Sequence, residues 1–202
     1  MPLDELFEQL KHPNPHLREQ AMWEIAEAKD DTTIDRLMGI LDETDVTYRR
    51  AAVKALGAIG ADAVPAIVEG LLNSDDVTVR SSCAKALAQV SVNYPEINFP
   101  EEGLQALKTA IDDANPVVHI ASVMALGTMG AAAFDILSDA LKTTDNPAAA
   151  VAIVNALADL KDERSVAVLK AVSEDASADS YVKESAVSAL SRLDMILNFK
   201  RN

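Results

Sequence analysis

Apolar residues recur at spacings of three and four along most of the chain, and one helical pattern is repeated six times. The stretch YRRAAVKALGAIG (48–60) returns as VHIASVMALGTMG (118–130). Each copy carries an apolar anchor, and the anchors follow at intervals of about 31 residues with one longer interval: Ile25, Leu56, Leu87, Leu126, Leu157 and Leu190. A period in this range is typical of stacked structural repeats.

An asparagine or aspartate precedes the apolar pattern in every copy. Side-chain oxygens of these residues accept the free amide hydrogens of a first helical turn, so the sequence predicts six N-caps: Asn14, Asp45, Asp76, Asn115, Asn146 and Asp179. Upstream of each cap lies another apolar segment with helical spacing: LDELFEQL, IDRLMGIL, VPAIVEGLL, GLQALKTAI, FDILSDAL and VAVLKAV. Each repeat is therefore predicted to be a hairpin of two helices, A and then B.

The predicted fold is all-α, an α-solenoid of six helical hairpins. One hairpin cannot bury its apolar stripe alone, so neighbouring repeats must supply the core. We expect one domain over residues 1–202, with repeats near 1–29, 30–60, 61–91, 102–130, 131–160 and 161–193. An insertion at 91–103 accounts for the longer interval.

The insertion contains the sequence SVNYPEINFPEEG. Tyr94 and Phe99 are its aromatic residues, and a proline follows each of them. A long ordered loop on a repetitive scaffold is often functional, so both residues are candidates for partner contact. The alternative is that the loop only accommodates a change in stacking angle.

A strip of helix B positions is the candidate binding surface. Residues six and two places before each anchor lie above one another, away from the predicted stacking face. We name these positions the helix B strip: Glu19, Trp23, Arg50, Lys54, Ser81, Lys85, Ile120, Met124, Val151, Asn155, Glu184 and Ser188. Helix B generally lines the concave binding side of such arrays. The candidate ligand-binding residues are Trp23, Arg50, Lys54, Lys85, Ile120 and Met124.

Three cations beside apolar residues suit a ligand that has negative charges on one part and an apolar body on another. The alternative for the cations is that they are ordinary solvated charges. Ile120 and Met124 could instead pack against a neighbouring helix. Trp23, the single tryptophan of the chain, is either a contact residue or a structural cap.

Composition and charge exclude several classes of protein. The chain of 202 residues has 32 acidic and 18 basic side chains, for a formal net charge of −14. This balance disfavours nucleic acid, whose binding depends on clustered Lys and Arg, and it disfavours an anionic membrane surface. We expect no membrane span and no signal peptide. A single cysteine fits a reducing compartment, so we expect a cytoplasmic location.

No catalytic constellation stands out, and the catalytic residues remain unknown from sequence. Cys83 occupies a helix B position that alanine or serine fills in other repeats, which predicts a small buried side chain. His12 and His16 span a Pro-Asn-Pro turn that disrupts helical presentation of two metal ligands. We expect no metal site.

The pattern of an apolar residue, Arg, Ala and then Ala-Leu-Gly in YRRAAVKALGAIG, with its lead in DVTYRR and DDVTVR, resembles the HEAT-like repeats of the phycobilisome lyases. The resemblance covers all six repeats and implies a right-handed α-solenoid of six HEAT-like helical hairpins. Within that family, the chain is most similar to the F-type subunits of E/F-type lyases that attach phycocyanobilin to the phycocyanin α subunit. The segments NYPEINFPEEG and NPVVHIASVMALGTMG carry this likeness.

The resemblance implies a chromophore lyase subunit that is active only with an E-type partner in a heterodimer. It further implies phycocyanobilin as substrate, no permanently bound cofactor, and thioether attachment to a cysteine of apo-phycocyanin α. The two propionates and apolar rings of a bilin are the combination that the helix B strip could hold. The alternative function is a HEAT-repeat scaffold or adaptor that engages phycobiliproteins, in antenna assembly or degradation, without covalent chemistry.

Overall fold

The computed structural model describes residues 1–201, with side chains described for residues 1–198. Within this part of the chain the regular structure is helical and no strand occurs, so the all-α prediction is confirmed. Residues 1–121 and 122–202 form two compact units.

The first unit contains seven helices and the beginning of an eighth. They are α1 (Leu3–Gln9), α2 (Pro15–Ala28), α3 (Thr33–Met38), α4 (Val46–Ile59), α5 (Val64–Asn73), α6 (Val77–Asn93), α7 (Glu101–Ala110) and α8 (Pro116–Leu126). Consecutive helices pair as hairpins, α1 with α2, α3 with α4, and α5 with α6. The first helices α3, α5 and α7 pack on one another in order, and so do the second helices α2, α4 and α6.

The second unit repeats the same arrangement with α9 (Phe134–Thr143), α10 (Pro147–Asp159), α11 (Arg164–Glu174) and α12 (Ser180–Arg201). Its hairpins pair α9 with α10 and α11 with α12, and α10 packs against α12. Each unit is thus a stack of helical hairpins in two layers.

The predicted caps account for the starts of the second helices. In each of the six repeats the Asn or Asp side chain accepts a hydrogen bond from an amide of the first turn: Asn14, Asp45, Asp76, Asn115, Asn146 and Asp179. These amides have no partner within the helix, so the caps satisfy donors that would otherwise be lost. The six predicted N-caps are confirmed.

The core consists of anchors and small residues. The first five anchors are fully buried: Ile25, Leu56, Leu87, Leu126 and Leu157. Alanines such as Ala52, Ala55 and Ala86 are also fully buried and let the helices approach closely. The hydrophobic core therefore follows the repeat, with aliphatic anchors between helices and little aromatic content.

One stretch of the described residues, Val46–Asn73, is long and apolar enough by length and composition to cross a membrane. It contains two helices, α4 and α5, because Gly60 between them takes a positive φ of 80°. Within the fold, 67% of its most apolar window is buried. Packing in the helical stack explains the apolar sequence of this stretch.

Candidate functional site

Arg50 and Lys54 lie one turn apart on the exposed side of α4. The cap at Asp45 fixes the start of this helix, because its carboxylate accepts hydrogen bonds from the amides of Thr47 and Tyr48. Arg49, the neighbour in sequence, bends back to donate to the carbonyl oxygen of Glu43. Arg50 and Lys54 are left to project from the helix toward solvent.

A cavity of about 220 Å³ lies between α2 and α4, and both cations line it. Its wall includes one acidic residue, Glu19, and the apolar side chain of Met22. The complete lining is Pro15, Arg18, Glu19, Met22, Thr47, Arg50, Ala51 and Lys54. The structure therefore brings three predicted strip positions, Glu19, Arg50 and Lys54, to one cavity.

Lys85 projects from α6, which packs directly against α4. Partial burial lowers the pKa of Lys85, and the positive charges of Arg49 and Arg50 lower it further. Arg49 and Arg50 therefore act on Lys85 as nearby like charges, and Arg50 shares the cavity between α2 and α4 with Lys54. We call Arg50, Lys54 and Lys85 the basic cluster.

The basic cluster has no internal counter-ion. Among the described side chains, no Asp or Glu oxygen lies within 4.0 Å of a charged nitrogen of Arg50, Lys54 or Lys85. Several other cations of the first unit do form ion pairs, as Arg36 does with Asp4 and Lys29 does with Asp62. An excess of positive charge at one place in a chain of net charge −14 is the main electrostatic feature of this surface.

The apolar members of the predicted site are exposed. Trp23 on α2 keeps 39% of its surface accessible, and Ile120 on α8 keeps 41%. Met124, one turn further along α8, is 66% exposed and belongs to the second unit. All three side chains are therefore accessible for contact. Their participation in one surface with the basic cluster stays a prediction.

The helix B strip is not polar and exposed throughout. Ser81 is only 4% exposed, because it lies where α6 packs between its neighbours, and its hydroxyl donates to the carbonyl oxygen of Thr78. Val151 and Asn155 are half-buried. The sequence pattern was wrong in treating Ser81 as a surface position.

The insertion is anchored to the first unit by its aromatic residues. The Tyr94 hydroxyl donates to the carbonyl oxygen of Ala58, and the ring of Phe99 packs where Gly103 has no side chain. An apolar cavity of about 210 Å³ lies beneath this loop. Ile97, which sequence reasoning did not single out, is 60% exposed at the same place. Tyr94 and Phe99 thus have packing roles, and contact of either residue with a partner stays a prediction.

The recurring basic residue after the first apolar position of helix B has a structural role. Arg18, Arg49 and Arg80 each donate to carbonyl oxygens of the turn that precedes their helix. His119 takes the same place in the fourth repeat and bonds to the carbonyl oxygen of Ile111. These side chains close the turns that precede their helices.

The described residues offer no candidate nucleophile or metal centre. Cys83 is fully buried, as predicted, and burial raises the pKa of its thiol to about 12. No group of three or more His, Cys, Asp or Glu residues within the described chain could hold a metal ion. The predicted site residues are cations and apolar side chains, which bind ligands through charge and apolar contact.

Comparisons with known proteins agree with the helical-repeat fold and identify relatives of the chain. The sequence profile described as HEAT repeats matches residues 3–88 and 104–191. The chain is 57% identical over 202 residues to the "Uncharacterized phycocyanin operon protein Z" of Pseudanabaena tenuis (strain PCC 7409), covering 100% of both chains. It is 36% identical over 97 residues to the "Bilin biosynthesis protein CpeZ" of Synechococcus sp. (strain WH8020), covering 48% of this chain and 52% of that one.

A solved structure of similar fold is the complex of CpcE and CpcF of phycocyanin lyase from Nostoc sp. PCC7120. The TM-score is 0.51 at 17% identity, over 76% of this chain and 96% of the matched chain. A designed armadillo repeat protein gives the same TM-score and identity over 95% of this chain and 99% of the other. Both structures support the helical-repeat solenoid fold alone. Together with the profile match and the full-length relative, the repeated capped hairpins show that this chain belongs to the HEAT-repeat family.

Proposed function

We propose that this chain is a subunit of a heterodimeric phycobilin lyase, of the F type, that works in the cytoplasm with an E-type partner. It binds phycocyanobilin and assists thioether attachment of this bilin to a cysteine of the phycocyanin α subunit. The names of the relatives support this proposal, because one is a phycocyanin operon protein and another a bilin biosynthesis protein.

The observation that carries the proposal is the unpaired basic cluster of Arg50, Lys54 and Lys85. Arg50 lies near Lys85 as a like charge and lines one cavity with Lys54, and an anionic ligand would offset this local excess of positive charge. Charge-assisted hydrogen bonds to carboxylates are about twice as strong as neutral ones. The two propionates of a bilin supply carboxylates of this kind.

The bilin rings need an apolar surface next to the cations. Met22 lines the cavity between α2 and α4 beside Arg50 and Lys54, and the ring of Trp23 is accessible on α2. Aromatic and methionine side chains adapt well to a flat, extended ligand. Ile120 on α8, which also belongs to the first unit and is 41% exposed, adds apolar surface in the proposal.

In this proposal the chain positions the bilin and the acceptor thiol and forms no covalent intermediate itself. The thiol of Cys83 is buried and remains protonated at neutral pH, so the sulfur of the thioether comes from the acceptor protein. Holding the bilin and the acceptor thiol in register raises their effective concentration. The basic cluster fixes one end of the bilin, so its reactive end meets the thiol in one orientation.

A scaffold that binds phycobiliproteins without covalent chemistry is the second candidate. The buried thiol of Cys83 is compatible with both candidates, because neither requires a reactive group on this chain. The two candidates differ in their product, since only a lyase subunit increases the amount of covalently bound bilin.

Co-expression tests the proposal directly. A bilin-producing pathway, apo-phycocyanin α, a candidate E-type partner and this chain are combined, and covalent bilin is scored in denaturing gels with each component omitted in turn. The lyase proposal predicts colour only when both subunits are present. Equal attachment without this chain contradicts it and favours the scaffold.

A triple variant tests whether the basic cluster is the site that supports bilin attachment. Arg50→Ala, Lys54→Ala and Lys85→Ala together should reduce attachment at least about tenfold, which corresponds to about 1.4 kcal/mol of lost binding. The control removes three exposed lysines elsewhere, Lys108→Ala, Lys142→Ala and Lys170→Ala, with the same change in net charge. Equal yields from the two variants would refute the assignment to the basic cluster.

A further inference from the structure

The helix B position three residues before the anchor is apolar in all six repeats. Among the described residues it is buried in the first five repeats and exposed in α12. Three residues before each anchor the side chain is apolar, and the first five are at most 9% exposed: Met22, Val53, Ala84, Val123 and Val154. The sixth, Val187, is 58% exposed. The residue type is thus retained where none of the described helices covers it.

The residue one place after the anchor lies one turn from this position, on the same face of the helix. It is small in all six repeats: Ala26, Gly57, Ala88, Gly127, Ala158 and Ser191. Gly57 on α4 leaves no room for a β-carbon beside Gln89 of α6, and a β-carbon on Gly127 would lie 3.2 Å from the Cα of Ala156 on α10. This face is therefore the one that receives the following hairpin.

In α12 the corresponding face is uncovered. Val187 and Ser191 are exposed, Met195 continues the same line one turn later with 65% of its surface accessible, and the anchor Leu190 is only half-buried. Two exposed apolar side chains on one helix face, with a small serine between them, make this face a candidate interaction surface. Terminal repeats that face only water carry a polar outer face instead.

We propose that the Val187–Ser191–Met195 face of α12 receives a HEAT-type helical hairpin from a different chain, which continues the stack across the subunit boundary. The surface continues an interface that this chain already uses between its own repeats, so a hairpin of the same class fits its spacing. This proposal rests on the proposed heterodimer and names the surface on which the partner subunit binds.

Charge selects a different chain over a second copy. Each copy carries a formal net charge of −14, so two copies repel one another. An end-to-end contact between identical chains is also heterologous and leads to open filaments unless the rotation closes. A less acidic partner with a matching terminal hairpin meets neither obstacle.

The test uses the full chain with the candidate E-type lyase subunit as probe. Val187→Glu with Ser191→Glu places two carboxylates on the face, and these would be buried without partners in the complex. The control, Ala167→Glu with Ala171→Glu, makes the same charge change at two exposed positions one turn apart on α11. Circular dichroism establishes that both variants keep the helical fold.

We expect the Val187/Ser191 variant to bind the probe at least about tenfold more weakly than the control variant in a titration followed by sedimentation. Equal affinity of the two variants, or no complex with the wild-type chain, overturns the proposal. Self-association of the wild-type chain that the Val187/Ser191 variant abolishes also overturns it, because a second copy is then the occupant.

The two proposals fail in different ways. A complex that the Val187/Ser191 variant disrupts, without covalent bilin in the co-expression assay, would support the docking face and contradict the lyase function. Covalent attachment that survives in the Val187/Ser191 variant at unchanged partner affinity would contradict the docking face and leave the lyase function supported.

Discussion

The Tyr94 hydroxyl donates a hydrogen bond to the carbonyl oxygen of Ala58 and so ties the insertion to the end of α4. The tyrosine ring lies over Gly60, where an added β-carbon would be 2.8 Å from the Cε2 atom. The insertion is thus part of the packing of the first unit, and the absence of a side chain at residue 60 makes this packing possible.

Gly60→Ala should destabilise the protein by about 3 kcal/mol, because alanine is strained at a φ of 80° and collides with Tyr94. Gly130 offers a matched control. Its φ is 61°, but no atom lies within 4 Å of an added β-carbon, so Gly130→Ala should cost only about 1 kcal/mol. Urea unfolding of the two variants measures the difference, and equal losses would contradict the packing role of Tyr94.

The cap at Asn146 should contribute measurably to the second unit. Its side chain accepts hydrogen bonds from the amides of Ala148 and Ala149 at the start of α10. Asn146→Ala leaves both amides without this partner and should lower the free energy of unfolding by about 1 kcal/mol. Asp145→Ala, at the exposed neighbouring position, should leave it unchanged in the same denaturant titration. A loss as large at Asp145 would speak against capping.

The ion pair between Arg80 and Asp113 joins adjacent repeats of the first unit. Two hydrogen bonds connect them, from Nε to Oδ2 at 2.9 Å and from Nη2 to Oδ1 at 3.3 Å. The side chains keep only 17% and 16% of their exposure, so Arg80→Ala should destabilise the protein by about 1 kcal/mol. Thermal unfolding of this variant is the measurement, and an unchanged midpoint would contradict the contribution.

The same pair predicts a pH dependence in acid. The hydrogen bond from Arg80 holds the pKa of Asp113 below its ordinary value of 3.8. The stabilisation is therefore fully present above the ordinary value and is lost as the pH falls through the lower value of the folded state. Arg80→Ala should therefore make the free energy of unfolding less dependent on pH in this range. An identical acid dependence in variant and wild type would count against it.

Cys83 should be unreactive in the folded protein. Burial raises the pKa of its thiol from 9.0 to about 12, so the folded thiol stays protonated where the unfolded one ionises. Between pH 9 and about 12, the free energy of unfolding then falls by up to about 1.4 kcal/mol per pH unit because of this residue. Iodoacetamide at pH 8 should label the unfolded chain and spare the native one. Rapid native labelling would contradict the burial.

Sequence reasoning identified features that depend on neighbours in the chain. The caps at residues such as Asn146 act within three residues, and the anchors recur with the helical period, so both are visible without coordinates. The pairing of Arg80 with Asp113 joins different repeats, and no local pattern reveals it. Ser81 was placed on the surface by phase alone, although the approach of neighbouring helices buries it.

The candidate site was predicted only in part, because the sequence pattern gives the phase of a helix but not its distance from other helices. The phase of helix B predicts that Arg50, Lys54 and Lys85 lie on accessible positions, and the structure places them there. The cavity between α2 and α4 depends on the distance between two helices, which the sequence does not specify. The open face at Val187 becomes apparent only when its exposure is compared with that of the equivalent residues in earlier repeats.

The fluorescence of Trp23 offers the most direct measurement of the central claim, that this surface holds a bilin through its carboxylates. Trp23 is the single tryptophan and lies on α2, next to the helix that carries Arg50 and Lys54. Titration with phycocyanobilin should quench its emission to a plateau, and the dimethyl ester should require at least about tenfold higher concentration. Emission that phycocyanobilin leaves unchanged, or that the acid and the ester quench equally, would contradict the account.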